Sequence, residues 1–361
     1  MRFLPIIILP FLCSCNPDKS DHTLSVSVGQ IALQTAPGLK KEVVTTLLEG
    51  KKLKDLGEVS HFESVITFGY NPIQSPWIKV ESSSGKQGWV FAGALKPNGE
   101  FEPWLQQKRL QCYFGKALTA RVESFPDKVS ALTDEEHCAL SYRQIRGMRD
   151  TMLFLLKHRA EPEGQVTYDW MANLVPGLVY QRSLTGDAPD MFFDYGHWLK
   201  TATKSTGDAD DAFFKFNCMI FPMDSVESPF PVWKFQMSAT ESASQLGTGV
   251  HVKVLDQIDQ LLSASPIFKP ELLATKDAIL DDILDKNTQF WQTKDLILQE
   301  LDSILVKTPA CLNTKESSAL KVRRVMLEAA ENNGVRIGLR SGEISDQRTM
   351  NNEQRTMNNE Q

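Results

Sequence analysis

The densest group of residues that could carry out chemistry lies between Asp187 and Asp211. Its carboxylate, imidazole and aromatic side chains are those of Asp190, Asp194, Tyr195, His197, Trp198, Asp208, Asp210 and Asp211. A pair of carboxylates can cleave a glycosidic bond, and carboxylates also bind cations. The alternative is structural, because Asp190 and Asp208 are natural N-caps and acidic first turns complement the helix dipole. The structural interpretation is favoured.

Other catalytic patterns are missing from the sequence. No two of the six histidines share a helical turn, which argues against the short-spaced zinc motifs. There is no GxSxG elbow and no P-loop. Gly247-Thr248-Gly249 resembles a fragment of a dinucleotide-binding loop, but the third glycine is absent. We therefore predict no catalytic residue, no metal site and no cofactor.

Four cysteines lie in the body of the chain, namely Cys112, Cys138, Cys218 and Cys311. None stands in the Asp-Cys-Ser-Gly setting that is usual for papain-like wall peptidases, whose thiolate is activated by a histidine. In an oxidising compartment they can pair as disulfides in three ways, and the sequence does not select one. Four buried, unpaired thiols are the alternative.

The first fifteen residues have the pattern of an export signal. Met1 and Arg2 carry one positive side chain, and residues 3–12 are uncharged and almost wholly apolar. Ten residues are too few to span a bilayer as a helix, which needs about 20. The end, Leu12-Cys13-Ser14-Cys15, resembles the lipobox of bacterial lipoproteins. The alternative is a secretory signal with incidental cysteines, or a buried N-terminal strand.

The lipobox resemblance implies that the chain is cleaved before Cys15 and acylated on it. More than one acyl chain, such as palmitate, is attached in this family, which is enough for stable anchoring. Residues 16–22 would then be a short polar linker that holds the protein off the membrane. We expect localisation to the cell envelope, with the membrane as a partner through the lipid.

Net charge argues against one class of partner. The 361 residues carry a formal charge of −6, and the basic residues are scattered along the chain. A nucleic-acid-binding protein needs a concentrated basic face. We therefore exclude nucleic acid, and the length suggests two domains.

Short segments with period-two alternation follow the linker. Leu24, Val26 and Val28 alternate with polar or small residues, and turns rich in Gly, Pro and Ser separate the later segments. The segments Ile31–Pro37, Trp77–Val80 and Gly85–Val90 resemble the bacterial SH3-like domain. The resemblance covers residues 24–97 and implies a small β-barrel. Two departures are Gln34 and Ala36, where the family has Arg and Gly, and residues 59–75 are longer than usual.

Five aromatic residues are the best candidates for ligand contact in this domain: Phe68, Tyr70, Trp77, Trp89 and Phe91. Aromatic side chains on a small barrel can hold an extended peptide or a sugar by stacking and burial of area. The alternative is that the two tryptophans form the core of the barrel.

From about residue 101 the apolar periodicity becomes helical. The sequence predicts helices around 101–120, 133–158, 190–200 and 208–218, three more between 255 and 304, and a last one over 315–332. Thr133 and Glu136 have capping-box spacing. Residues 101–340 are thus predicted to form a mainly helical domain. The tail, 341–361, repeats QRTMNNE in tandem and is predicted to be disordered, because one apolar residue per heptad cannot form a coiled-coil seam.

Together these observations predict an α+β multidomain protein with an SH3-like barrel followed by a larger helical domain. The expected function is that of a non-catalytic binding or scaffolding lipoprotein, with peptidoglycan or an envelope protein as partner. The alternative is an envelope hydrolase with an acidic site in the helical domain.

Overall fold

The computed structural model describes residues 23–159, 166–182 and 189–339. The fold is mixed α/β, with an N-terminal seven-stranded antiparallel sheet and eight α-helices within these residues. The coarse prediction of a β-rich N-terminal part followed by helices is confirmed. The predicted leader with Cys15 and the tandem repeat of the tail lie outside the described residues.

The sheet is built from seven consecutive strands in the order β3-β2-β6-β5-β4-β1-β7. Their bounds are β1 Thr23–Val26, β2 Gln30–Gln34, β3 Val43–Leu48, β4 Lys52–Phe68, β5 Asn71–Ser82, β6 Gln87–Phe91 and β7 Leu95–Pro97. A 3₁₀ turn, Ala92–Ala94, joins β6 to β7. One of the turns rich in Gly and Ser lies between β5 and β6, where Gly85 has φ +78°.

The long hairpin of β4 and β5 dominates the sheet. It accounts for the segment 59–75, which the sequence marked as longer than usual, and turns at Gly69 with φ +63°. The pairing register shifts between Asp55 and Val59 and again between Val59 and Glu63. Such irregularities bend a strand and increase its twist, so β4 can pair with β1 at its start and with β5 along its length.

Apolar side chains cover both faces of the sheet because consecutive residues of a strand point to opposite sides. One cluster contains Ile78, Val80 and Val90, all fully buried. The other contains Trp77 and Phe91, with partly buried apolar residues packed around them. The two clusters differ in what lies against them.

Helix α1, Phe101–Ser130, covers the first cluster with its N-terminal half. Leu105 is buried in that cluster, and Phe101 and Trp104 pack against it. Gly115 interrupts the helix with φ 74° and ψ 166°, which is a glycine conformation and changes the direction of the chain. The N-terminal half is therefore a separate element fixed to the sheet.

Two buried ion pairs hold α1 on the sheet. Lys108 Nζ donates to Asp55 Oδ2 at 2.6 Å, and the Asp55 side chain is 2% exposed. Glu63, whose side chain is 0% exposed, accepts from Arg109 Nε at 2.9 Å. A buried carboxylate needs compensation of this kind, because removal from water costs several kcal/mol.

Glu63 has further partners, so that both of its oxygens are used. Its Oε2 accepts from Tyr113 Oη at 2.8 Å and from Gln74 Nε2 at 2.5 Å, while Arg109 also donates to the Gln74 carbonyl oxygen at 2.7 Å. Burial and the neighbouring Glu63 carboxylate raise the pKa of Tyr113 above its ordinary value, so its hydroxyl stays a donor. One side chain thus joins β4, β5 and α1.

The chain divides into two compact units. The first contains the described residues up to Thr119 together with Arg159 and residues 166–167, and the second contains 120–158 and the described residues from Tyr168 onward. The predicted boundary near residue 100 falls inside the first unit, because the N-terminal half of α1 packs on the sheet.

The second unit contains the remaining helices and two short hairpins. The helices are α2 Glu135–Lys157, α3 Tyr195–Ala202, α4 Ala209–Ile220, α5 Val250–Ala264, α6 Lys269–Leu284, α7 Lys294–Lys307 and α8 Thr314–Glu328. The hairpins pair β8 Leu178–Gln181 with β9 Asp190–Phe193, and β10 Lys234–Gln236 with β11 Ser242–Ser244.

Two sequence predictions in this unit were wrong in detail. The N-cap of α2 is Asp134, which accepts from the backbone N–H of His137 at 2.9 Å, and not Thr133. The helix predicted over 190–200 begins only at Tyr195, because 190–193 form a strand with Met191 and Phe193 buried. The sequence did not distinguish this strand from the helix that follows it, because its aromatic residues directly precede a helical pattern.

We predict that Glu63→Ala lowers the free energy of unfolding by about 3–5 kcal/mol, because Arg109 would keep its charge but lose its partner. Glu58→Ala on the same strand is the matched control, since the Glu58–Lys79 pair is solvent-exposed and worth about 1 kcal/mol or less. Urea denaturation followed by tryptophan fluorescence measures both. Equal losses in the two variants would contradict this description of the core.

Candidate functional site

Four of the five aromatic candidates belong to one cluster on the face of the sheet that lies opposite α1. Trp77 and Phe91 are its centre, with ring centroids 5.7 Å apart and exposures of 1% and 0%. The Trp77 indole N–H donates to Ser64 Oγ at 2.9 Å, which satisfies its polar group in the interior. These two residues are core residues and present no surface to a ligand.

Phe68 and Trp89 lie at the margin of the same cluster and are partly buried. The Phe68 ring is 6.1 Å from the Phe91 ring, so the exposed aromatic surface continues directly into the core. Tyr70, at the turn of the β4–β5 hairpin, is 100% exposed. Sequence patterning could not separate the buried aromatics from the exposed ones, because the choice depends on which face α1 covers.

Partly buried apolar residues, aliphatic and aromatic, make up this surface, which we call the aromatic face: Val28, Ile31, Phe62, Ile66, Phe68, Ile73 and Trp89. An apolar patch around an aromatic centre is the composition of a contact site. Gly93 underlies the cluster closely, since a Cβ there would lie 2.6 Å from the Phe91 ring and 2.7 Å from Ile73. The backbone at Gly93 thus packs directly against the Phe91 ring.

The carboxylates of the acidic segment are used for local structure. Asp194 caps α3 by accepting from the His197 N–H at 2.8 Å, and the fully buried Asp210 accepts from Ser205 Oγ at 2.6 Å. Asp208 stands at the N-cap of α4 without a capping bond from its side chain. The predicted Asp187 lies outside the described residues.

The neighbouring aromatic residues are mostly interior. Trp198 is 0% exposed and stacks on Phe214 with centroids 5.4 Å apart, and Tyr195 is 4% exposed and stacks on Phe221. His197 is only partly buried. The acids that lie close together are Asp208, Asp210 and Asp211 at the start of α4, and burial with the charges of the first two raises the pKa of Asp211.

The four cysteines of the body are thiols in the structure, with Cys112 and Cys138 buried. Burial raises the pKa of Cys112 to about 11, although Arg159 donates to its Sγ at 3.2 Å. Burial and the nearby Asp259 raise the pKa of Cys311 to about 12. Burial followed by the charge of Asp210 also raises the pKa of Cys138. These three thiols are poor nucleophiles because only the thiolate attacks.

The Gly247–Gly249 segment does precede a helix, but a side chain of the protein occupies its donors. The carboxylate of Glu300 accepts from the backbone N–H groups of Gly247, Gly249, His251 and Val252 at 2.5, 2.8, 2.8 and 3.1 Å. This is the position in which a helix N-terminus would hold a phosphate. Glu300 therefore takes up the backbone donors of this segment that a phosphate would need.

A buried polar network continues from Glu300. His251 Nε2 lies 2.9 Å from Asp282 Oδ2, which also accepts from Ser244 Oγ at 2.6 Å. In a hydrolytic triad the imidazole stands between serine and carboxylate, whereas here the carboxylate stands between the other two. His251 is 0% and Ser244 1% exposed, so a substrate has no access to the hydroxyl.

Sequence reasoning missed this network, although α7 contained a signal. Glu300 lies between Ile297, Leu301 and Ile304, and helical spacing puts it on the same face as these core residues. A charged residue on an apolar face must find partners in the interior. Its partners were not identifiable, because they come from a loop about fifty residues earlier.

Among the described residues no group of three or more His, Cys, Asp or Glu side chains is placed to hold a metal ion. No helix in residues 23–159, 166–182 and 189–339 combines the length and the apolar character needed to cross a bilayer.

Comparison with known proteins adds no relative. No protein family, no curated protein and no solved structure matches this chain.

We predict that Glu300→Ala lowers the free energy of unfolding by about 3–5 kcal/mol, because buried N–H groups without acceptors cost about 1–3 kcal/mol each. Asp295→Ala, which removes an exposed acid from the first turn of the same helix, is the control and should cost about 1 kcal/mol or less. Thermal and urea unfolding measure both. A small effect at Glu300 would show that its contacts contribute little.

We also predict that Cys112, Cys138 and Cys311 are alkylated slowly at pH 8 in the native protein, because their raised pKa values keep them as thiols. In guanidinium without reductant, all four cysteines of the body should be alkylated rapidly. Peptide mapping by mass spectrometry identifies each site. Recovery of disulfide-linked peptides from the native protein would contradict the prediction.

Proposed function

We propose that this chain is a lipid-anchored protein of the bacterial cell envelope that acts by binding or scaffolding, without catalysis. Its aromatic face binds cell-wall peptide or a protein partner, and acylation of Cys15 holds it at the membrane. The single observation that carries the proposal is the partial exposure of Phe68 and Trp89 at the margin of the buried cluster of Trp77 and Phe91. Tyr70, at the turn of the β4–β5 hairpin, is fully exposed.

The lipid anchor rests on the sequence. The apolar stretch of residues 3–12, followed by Leu12-Cys13-Ser14-Cys15, has the order of a lipoprotein signal. The described chain starts its first strand at Thr23, eight residues after Cys15. At no more than about 3.6 Å per residue, the first unit would stay within about 30 Å of the acylated residue. Such a protein would work close to its membrane.

The SH3-like barrel is likewise part of the proposal. In its favour, β4 pairs with β1 near its start and with β5 along its whole length, and its register against β5 shifts twice, which bends the strand. Strand β1 also pairs with β7, which brings the two ends of this segment together. The family resemblance of residues 24–97 points to the same architecture.

The alternative of an envelope hydrolase receives little support. Asp194 and Asp210 make structural hydrogen bonds, and Ser244 is buried. Cleavage of a glycosidic bond needs two carboxylates across a substrate-sized gap, one of them a proton donor. Asp194 instead caps α3, and Asp210 accepts from the Ser205 hydroxyl.

We predict that Cys15→Ser shifts the protein from the membrane fraction to the soluble fraction or leaves an uncleaved precursor. The reason is that a single acylated thiol supplies the anchor. Immunoblots of fractionated cells, with labelling by an alkyne fatty acid, give the measurement. Cys13→Ser is the matched control and should leave fractionation and labelling unchanged, whereas unaltered labelling of Cys15→Ser would refute the anchor.

We further predict that Tyr70→Ala combined with Trp89→Ala weakens retention on purified peptidoglycan, or on a captured envelope partner, by about tenfold or more. Truncated aromatic anchors commonly cost 2 kcal/mol or more in an interface. Phe154→Ala, an aromatic on α2 that is 60% exposed, is the control. A muropeptide-release assay should show no release, and release by the unmutated protein would favour the hydrolase.

A further inference from the structure

The second unit contains a cavity of about 440 Å³. Its walls come from the start of α4, the C-terminal end of α5, the start of α6 and the first residue of α2. This volume is within the range of sites that bind small molecules, about 300–1,000 Å³. The aromatic face described above lies in the other unit and has no part in it.

The floor of the cavity is apolar and rigid. The Phe213 and Phe268 rings stack with centroids 4.1 Å apart and planes within 6°, and each residue is 2% exposed. Leu272, which is 1% exposed, lies beside them. The space exists because small side chains line the walls, namely Ala209, Ala212 and Ala264.

The mouth of the cavity carries negative charge. Among the described residues of the lining, Glu135 and Asp208 are the only ionisable side chains, and none is Lys or Arg. Glu135 Oε2 accepts from the Ala209 N–H at 2.9 Å, so it balances the positive end of the α4 dipole. Asp208 is exposed and makes no capping hydrogen bond, so its charge is not used in this way.

Gly207 makes this arrangement possible. Its φ is +113°, and a Cβ there would lie 2.3 Å from Glu135 Oε2. A larger residue would therefore push the carboxylate away from the mouth. The raised pKa of Asp211, caused by burial and by the charges of Asp210 and Asp208, is consistent with an excess of negative charge at this end of α4.

An apolar floor and an acidic mouth favour a ligand that has an apolar body and a positively charged group. We propose that the cavity binds a small organic cation, with an aromatic or branched aliphatic body on Phe213 and Phe268 and an ammonium or guanidinium group at Glu135 and Asp208. A neutral or anionic molecule with the same body lacks the second contact. The inference is independent of the lipid anchor and of the aromatic face.

Three probes with the same body test the proposal: phenethylammonium, 2-phenylethanol and phenylacetate. Calorimetric titration of the full chain in a neutral detergent measures their affinities, and comparison between protein variants cancels partition into micelles. We expect phenethylammonium to bind at least tenfold more tightly than the alcohol, and phenylacetate not to bind. Equal affinity for the three probes, or no binding of the cation up to 20 mM, would overturn the proposal.

Two variants localise the binding. Asp208→Asn removes a negative charge that makes no capping hydrogen bond. It should weaken the binding of phenethylammonium by about fivefold, and should change neither the affinity for 2-phenylethanol nor the midpoint of unfolding. Ala264→Trp fills the cavity from an exposed position and should abolish binding of all probes. Asp190→Asn, an exposed acid outside the lining, is the control. Loss of binding in the control, or full binding in Ala264→Trp, would place the ligand elsewhere.

Discussion

The fixed position of α1 on one face of the sheet is the constraint on which the account of the first unit depends. The seven-stranded sheet has two apolar faces, and a single helix covers only one of them. Lys108 and Arg109 determine which face α1 covers, because their partners Asp55 and Glu63 are buried on the same side of the sheet. The opposite face is centred on Trp77 and Phe91, and partly buried apolar residues pack around them.

The free-energy cost of removing these charged groups from water explains why they make so many hydrogen bonds. A carboxylate such as Glu63, removed from water on every side, requires hydrogen-bond donors for both of its oxygens, and here one charged and two neutral side chains supply them. The second unit repeats the principle with Glu300, whose four donors are all backbone N–H groups of one loop and helix start. In both units an acid on an apolar surface fixes the relation of two elements, and neither acid is accessible to a substrate.

Much of the secondary structure was predictable, and the site only in part. The period-two alternation at Leu24, Val26 and Val28 and the helical spacing from Leu255 to Ile304 identified strands and helices, because these patterns depend only on local geometry. Strand β9 was missed because Asp190 resembles a helix cap and the aromatic run that follows fits either period.

The sequence could not show that Phe68 and Trp89 are partly exposed whereas Trp77 and Phe91 are buried, since this difference depends on long-range packing. The cavity of the second unit was not predictable either, because its walls come from four elements that are distant in sequence.

The most direct test of the central claim is hydroxyl-radical footprinting of the full chain, with and without purified peptidoglycan or a captured envelope partner. Mass spectrometry reports the oxidation of each aromatic residue separately. The account predicts that Tyr70, Trp89 and Phe68 are oxidised in the free protein and become protected in the complex, while Trp77 and Phe91 stay unreactive in both. Protection confined to the second unit, or oxidation of Trp77 as fast as that of Trp89, would contradict it.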